Sequence, residues 1–274
     1  MRHSEPTGPV PKRTGVSGQR GCEARQGCLV QIPSRTAAGH WPYHRAAEAD
    51  KLPAMIITID GPAGSGKSMV ARRLAQELGI AHLDTGATYR AVTLKALEEG
   101  TDLEDSAALA RLARQARVEL VMDPAGARVL LDGRDVSAGI RSEHVTRQSY
   151  YLARSAQVRE VLVALQRRLG EQLGSFIAEG RDQGSVVFPH AQVKFYLDAA
   201  PPIRAQRRYR ELLDRGQGAD YQQVLADLMQ RDDRDRSRRV GPLRPAKDAI
   251  VVDTSDLTVE QVVAELKRHV EQGG

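Results

Sequence analysis

One short segment contains glycine, lysine and serine at the spacing of a phosphate-binding loop. Residues 61–68 have the sequence GPAGSGKS, which matches the pattern G-x-x-x-x-G-K-[ST]. Glycines let a backbone wrap closely around an anion and aim its N–H groups at phosphate oxygens. In this pattern the lysine, Lys67, reaches the β- and γ-phosphates, and the hydroxyl of Ser68 can ligate Mg²⁺. The segment therefore predicts a site for a nucleoside triphosphate.

Two arginines near the ends of predicted elements could bind a second phosphate. Arg90 lies just inside a helix for which Thr85 is the predicted N-cap, and Arg181 follows a strand predicted over 176–179. Guanidinium groups bind phosphate in a bidentate manner, so the two residues suit a clamp. For either arginine taken alone, an ordinary surface position at the end of an element stays open.

A strand and a helix must hold the phosphate loop in place. Ile56, Ile57 and Ile59 form a β-branched run typical of a buried parallel strand. After the loop, apolar residues share one helical face, and Gly79 supplies the stop. These residues are Val70, Ala71, Leu74, Ala75 and Leu78.

Further strands and helices alternate along the rest of the chain. Strands are predicted over 193–197 and 249–252, and a hairpin over 117–131 with its turn at 123–126. The last helix begins with a capping box formed by Thr258 and Gln261. This alternation predicts an α/β fold with a doubly wound parallel sheet.

Charge and hydropathy exclude several classes of protein. Residues 1–54 contain eight Lys/Arg and four Asp/Glu, and thus carry +4 of the net charge of +5. The nearly neutral remainder argues against nucleic acid as a partner. The longest apolar run is five residues, 161–165, whereas a membrane span needs about 20. With no secretory signal either, we expect a cytoplasmic protein with no membrane partner.

Residues 1–54 differ from the rest of the chain in composition. They contain six of the 13 prolines and both cysteines, Cys22 and Cys28. A metal site formed with nearby histidines has no recognised ligand spacing, so an incidental origin is the simpler interpretation. We predict a disordered extension or a mis-assigned start, and expect a chain that begins at Met55 to fold and act.

Six ordered motifs carry a resemblance to a known family. They are IDGPAGSGKS, LDTGATYR, DGRDVSAGIRSEHVT, EGRDQGSVVFP, VKFYLDA and RDDRDRSRRVGPLRPAKDAIVVDTS. From Met55 to about Val270 the sequence resembles the bacterial cytidylate kinases, a family of P-loop nucleoside monophosphate kinases. No guanine-reading Asn-Lys-x-Asp element or transporter-ATPase signature is present.

The resemblance implies a domain organisation. The kinase core would comprise residues 55–111 and 160–274, and an insert over 112–159 would bind CMP. A short arginine-rich lid would lie at 230–241, with Gly241 and Pro242 ending its helix.

The resemblance also implies a role for each matching residue. ATP would be bound by Gly61, Pro62, Ala63, Gly64, Ser65, Gly66, Lys67 and Ser68, with Mg²⁺ at Ser68. The catalytic residues would be Lys67, Arg181, Arg231 and Arg238. CMP or dCMP would be bound by Thr85, Arg90, Tyr150, Arg159, Arg181, Asp182 and Asp235.

Within the acceptor site, Arg159 and Asp182 match the pair that recognises cytosine. A carboxylate accepts from the N4 amine of cytosine, whereas it would face a carbonyl oxygen of uracil. Tyr150 stands where the family usually has serine, so either Tyr150 or Ser149 would contact the base. The implied enzyme transfers the γ-phosphate of ATP to CMP or dCMP and acts as a monomer. The alternatives are a kinase for another small acceptor, or a nucleotide-binding module without turnover.

Overall fold

A computed structural model describes residues 55–123 and 126–272 of the chain. The expectations for residues 1–54 lie outside the described residues, as does the centre of the predicted turn at 124–125. The strands are β1 (Ile56–Asp60), β2 (Ala81–Asp84), β3 (Val118–Asp123), β4 (Gly126–Leu131), β5 (Arg134–Asp135), β6 (Phe176–Gly180), β7 (Val193–Asp198) and β8 (Ile250–Asp253). The helices are α1 (Lys67–Leu78), α2 (Thr85–Glu98), α3 (Ser106–Gln115), α4 (Glu143–Arg154), α5 (Ala156–Leu173), α6 (Pro201–Asp214), α7 (Tyr221–Arg236) and α8 (Val259–Gln272).

Five parallel strands form the central sheet, in the order β2-β6-β1-β7-β8. The strands predicted over 56–59, 176–179, 193–197 and 249–252 are confirmed, and β2 is an additional strand that the sequence pattern did not predict. The strand order reverses at β1, which lies between β6 and β7. In such sheets a ligand cleft opens at the carboxyl ends of the strands beside this point.

Helices cover both faces of the sheet, which confirms the doubly wound architecture. On one face of the sheet, Ile57 and Ile59 of β1 pack against α1 and α8. This agrees with the apolar helix faces predicted from the sequence. The opposite side buries α2, α3 and α5 together with Phe176 and Ala178 of β6. The capping box of α8 is present, since Thr258 and Gln261 exchange hydrogen bonds of 2.8 and 3.3 Å.

A separate antiparallel sheet, β3-β4-β5, lies between α3 and α4. It confirms the predicted hairpin and extends it by one short strand. The expected insert boundaries at 112 and 159 fall inside α3 and α5, two helices that pack against each other.

The segment expected to be the lid begins in the last two turns of α7 and continues as a loop. The expectation that Gly241 and Pro242 end this helix is wrong, because α7 ends at Arg236. Beyond that point the carbonyl of Asp235 accepts from the backbone N–H of Leu243, at 2.8 Å, so the chain has already turned back. Across the described ranges, no helix has the length and apolar character needed to cross a membrane.

Candidate active site

The phosphate loop takes the conformation that its glycines predict. Gly61, Gly64 and Gly66 have φ of 153°, 77° and 86°. A Cβ on Gly61 would collide with the carbonyl oxygen of Leu197 in the neighbouring strand β7. Helix α1 begins at Lys67, directly after the loop, so the unpaired N–H groups of its first turn add to those of the loop. The backbone of the segment thus has the form of an anion cradle.

Three cations influence one another's charge at the edge of this loop. Lys67 is 7% exposed and donates to the carbonyl oxygen of Pro62 at 2.7 Å. Burial, and then repulsion from Arg181, lowers the pKa of Lys67 well below its usual value. Arg231 has no hydrogen bond or ion pair with any described residue, and burial together with Arg181 lowers its pKa to about 10. Cations held together in this way form a site for an anion.

Arg90 and Thr85 lie where the chain passes from β2 into α2. The prediction that Thr85 is the N-cap is wrong: Asp84 has the extended backbone of a cap, and its carboxylate accepts from Ala87 N at 3.1 Å. Thr85 Oγ1 instead donates to the carbonyl oxygen of Glu179, at 2.7 Å. Arg90 Nη2 forms an ion pair with Asp84 Oδ2 at 2.7 Å. Asp84 thus holds both the helix start and the predicted phosphate ligand.

Arg159 and Asp182 form a buried ion pair, as the predicted base-reading pair requires. They are 2% and 4% exposed, and burial raises the pKa of Asp182 while Arg159 opposes the rise. Arg159 Nη1 also donates to the hydroxyl of Tyr89, at 3.1 Å. Gly241 of the lid loop covers the pair so closely that a Cβ there would collide with both side chains.

Asp235 connects the lid to the body of the protein. Its Oδ2 pairs with Arg181 Nε at 2.9 Å, and its Oδ1 lies 3.4 Å from Arg238 Nη2. Burial opposes protonation of Arg181, but Asp235 outweighs that effect and raises the pKa of Arg181. The residues expected to bind ribose and phosphate are therefore paired with each other.

Tyr150 and Ser149, which both lie on α4, have different partners. The hydroxyl of Ser149 donates to the carbonyl oxygen of Thr146 at 2.7 Å. The ring of Tyr150 lies under the guanidinium of Arg234 from α7, 5.3 Å from its centroid, and Arg154 is at 5.4 Å. Such cation–π contacts join the two elements that flank the acceptor side of the cleft.

Asp60 is a functional residue that the sequence analysis missed. It ends β1 directly before the loop, is 3% exposed, and accepts from the backbone N–H groups of Gln183 and Gly184 at 2.9 and 2.8 Å. Burial raises the pKa of Asp60 to about 7. It therefore fixes the turn that carries Arg181 and Asp182. The available signal was a carboxylate at the end of a buried strand.

Oxygen ligands of the kind that Mg²⁺ prefers are present beside the loop. Ser68 is exposed in the first turn of α1. Glu179 Oε2 is buried with no hydrogen-bond partner among the described residues, and the charge of Glu179 raises the pKa of Lys67 against the effect of burial. In residues 55–123 and 126–272, no cluster of three or more His, Cys, Asp or Glu could hold a metal alone. The donors fit a Mg²⁺ ion that arrives with a nucleotide.

Comparisons with known proteins point to one family. The family model described as cytidylate kinase matches residues 57–272. A cytidylate kinase of Nocardia farcinica (strain IFM 10152) is 45% identical over 218 residues, covering 80% of this chain and 94% of its own. One of Rhodococcus jostii (strain RHA1) is 48% identical over 212 residues, covering 77% and 93%. One of Pelotomaculum thermopropionicum is 48% identical over 218 residues, covering 79% and 96%.

Proposed function

The chain belongs to the cytidylate kinase family, and from this premise we propose how its cleft transfers the γ-phosphate of ATP to CMP or dCMP. The enzyme gives CDP or dCDP and thus serves pyrimidine nucleotide metabolism. One observation carries the assignment of roles. The cations Lys67 and Arg231 converge, and among the described residues neither forms an ion pair with a carboxylate, whereas Arg159 and Asp182 form a buried pair.

ATP binds with its phosphates in the loop of residues 61–68. The backbone N–H groups surround the phosphates, and Lys67 leaves the Pro62 carbonyl to reach the β- and γ-phosphates. The negative charge of ATP opposes the burial that lowers the pKa of Lys67 and so favours the protonated form of its amine. The hydroxyl of Ser68 would hold Mg²⁺, and Oε2 of Glu179, which has no hydrogen-bond partner among the described residues, would be a second oxygen donor. When bound, Mg²⁺ neutralises phosphate charge and fixes the nucleotide's conformation.

The transferring group carries its charge on peripheral oxygens, so positioned cations are the main catalytic need. Lys67, Arg181, Arg231 and Arg238 supply them. The acceptor phosphate is already a nucleophile, and the residues here need not remove a proton from it. The lid of residues 230–241 excludes water that would otherwise receive the phosphoryl group.

The acceptor phosphate binds by exchange of existing ion pairs. Arg90 is held by Asp84 at 2.7 Å, and Arg181 by Asp235 at 2.9 Å. A phosphate dianion offers both arginines a bidentate partner, with Thr85 assisting. Asp235, released from Arg181, then accepts from the ribose hydroxyl.

The Arg159–Asp182 pair reads the cytosine edge, with Arg159 at the end of the insert over 112–159 and Asp182 in the core. Asp182 accepts from the N4 amine, and Arg159 donates to the ring acceptors. Tyr150 rather than Ser149 lines this side, because the Ser149 hydroxyl is already bonded to Thr146. We place the enzyme in the cytoplasm as a monomer, since one chain supplies both ends of the cleft.

The experiment that tests this function is an acceptor screen. ADP formation is measured with CMP, dCMP, UMP and AMP at saturating ATP and Mg²⁺. We expect turnover with CMP and dCMP, and a kcat/KM for UMP and AMP lower by about 10-fold or more, because the wrong base leaves a buried polar group mispaired. Preferred use of AMP, or of none of the four, would contradict the proposal.

A further inference from the structure

Arg204 is buried, although the many charged residues of its helix, α6, are typical of an exposed helix. Helix α6 contains three other arginines, yet Arg204 is only 1% exposed. Its guanidinium contacts three separate parts of the fold. Charged side chains are rarely buried without a specific partner, so these contacts require an explanation.

One contact holds the phosphate loop, and a second lies beside the start of α6 itself. Arg204 Nη1 donates to the carbonyl oxygen of Ala63 at 3.0 Å, and Nε donates to the carbonyl oxygen of Ala199 at 2.8 Å. Gly64 lies directly against Arg204, since a Cβ on Gly64 would be 3.1 Å from Cβ of Arg204. The loop thus rests on Arg204 on the side of α6.

The third contact reaches the lid helix. Arg204 Nη1 lies 2.6 Å from Oδ2 of Asp232 on α7, and Asp232 is 1% exposed. Asp232 directly follows Arg231, the unpaired cation near Lys67. A small apolar cluster that includes Ala63, Ala205, Val224 and Leu228 packs the same three segments together.

We infer that the Arg204–Asp232 pair positions Arg231 over the phosphate loop. A buried ion pair adds little net stability compared with apolar residues, but it has one favourable geometry. The geometry of the Arg204–Asp232 pair fixes how α7 is rotated and how far it lies from Ala63. It therefore fixes where Arg231 meets the transferring phosphate. Arg204 is a positioning residue, and the inference rests on the role proposed for Arg231.

The test separates positioning from simple stabilisation. The variants are Arg204→Met, Asp232→Leu and the double variant, with Lys194→Met as control. Lys194 is also buried and pairs with the exposed Asp248 at 2.7 Å, and among the described residues no hydrogen bond or ion pair joins its side chain to the loop or the lid. For each variant, the urea midpoint is measured, along with kcat and KM for ATP and CMP per folded molecule.

Each single variant should lower the urea midpoint, because it leaves one buried charge unpaired. The double variant should regain stability relative to the less stable single variant. Its kcat should nevertheless stay about 10- to 100-fold below wild type, with the KM for CMP little changed, because Arg231 is misplaced. Lys194→Met should lower the midpoint and leave kcat unchanged.

Wild-type kcat per folded molecule in the double variant, whatever its stability, would overturn the inference. Arg231→Gln distinguishes this failure from that of the proposed function. It should lower kcat in the wild-type background and add little in the double variant, because the two changes remove the same interaction. If Arg231→Gln leaves the wild-type kcat unchanged, the role of Arg231 is wrong and the inference falls with it.

Discussion

The phosphate end and the base end of the cleft use the same kinds of charged residue but pair them differently. At the phosphate end, among the described residues, the side chain of Lys67 bonds only to a carbonyl oxygen and that of Arg231 has no partner. At the base end, Arg159 pairs with Asp182, and between the two ends Arg181 pairs with Asp235. Both ends are largely buried, so the difference lies in the pairing and not in access to water.

The difference indicates two distinct uses of buried charge. Unpaired cations that lower one another's pKa gain strongly from an anion, and this favours stabilising charge on a phosphoryl group in transfer. The buried Arg159–Asp182 pair instead presents one donor and one acceptor in fixed positions. That arrangement discriminates between bases, because a wrong edge leaves one member unsatisfied.

The largest effect should come from the phosphate end. Lys67→Met should lower kcat by roughly 10²- to 10³-fold, since it removes a charge that acts on the transferring phosphate. Steady-state kinetics with CMP measures it. The control is Lys267→Met, which removes a lysine near Glu77 on the surface. A kcat within about threefold of wild type, a change worth less than 1 kcal/mol, would place Lys67 outside the reaction.

Asp60 supports both ends, and its effect should appear as a pH dependence of stability. Its pKa is about 7 in the folded protein and 3.8 as a reference value. As the pH rises from 4 to 7 the unfolded chain ionises first, so the free energy of unfolding should fall by about 3 kcal/mol from this group. Above pH 7 the loss should level off.

Asp60→Asn removes that titration. Urea unfolding of wild type and variant across this pH range measures the difference between their free energies of unfolding. It should change by about 3 kcal/mol, at 1.4 kcal/mol per pKa unit. A difference that stays constant with pH would show that Asp60 is ionised throughout.

At the base end, Asp182→Asn should change preference. An asparagine can turn its NH₂ toward the uracil carbonyl, so the ratio of kcat/KM for CMP over UMP should fall by roughly 10- to 100-fold. Arg159→Ala should weaken both pyrimidines, since both keep an acceptor at O2. If Asp182→Asn leaves the ratio unchanged, the carboxylate does not read the base.

The smallest effect should come from Gly241, the lid residue that covers the Arg159–Asp182 pair. Gly241→Ala places a Cβ against Arg159 and Asp182 at a φ of 59°, so the KM for CMP should rise about tenfold. The matched control is Gly216→Ala, with a φ of 69° but no atom within 4 Å of the added Cβ. Equal KM values for the two variants would mean that backbone strain alone is responsible.

The local parts of the site could be predicted from sequence. The phosphate loop and its flanking elements follow from neighbouring residues, because glycine spacing and helical periodicity act over a few positions. The strand order and the position of Asp60 could not be predicted in the same way. Asp60 bonds to Gln183, 123 residues away, and Arg204 to Ala63, 141 residues away. A pattern within a short window contains no information about such partners.

The errors have a similar physical origin. Thr85 has the residue type of an N-cap, but Asp84 is one position earlier and competes better for the same N–H groups. The lid helix ends before Gly241 because Leu243, folding back, takes the carbonyl of Asp235. In both cases a polar group, the carboxylate of Asp84 or the backbone N–H of Leu243, determined where the helix begins or ends.

The division of labour between the two ends is tested most directly by measuring binding and transfer separately. Calorimetry gives the Kd for CMP in the absence of ATP, and rapid-quench single turnover gives the transfer rate at saturating substrates. Lys67→Met should leave the Kd within about twofold and slow transfer by roughly 10²- to 10³-fold. Asp182→Asn should raise the Kd by about tenfold and slow transfer far less. If both variants weaken CMP binding and slow transfer to the same extent, the two ends do not act separately and the account is wrong.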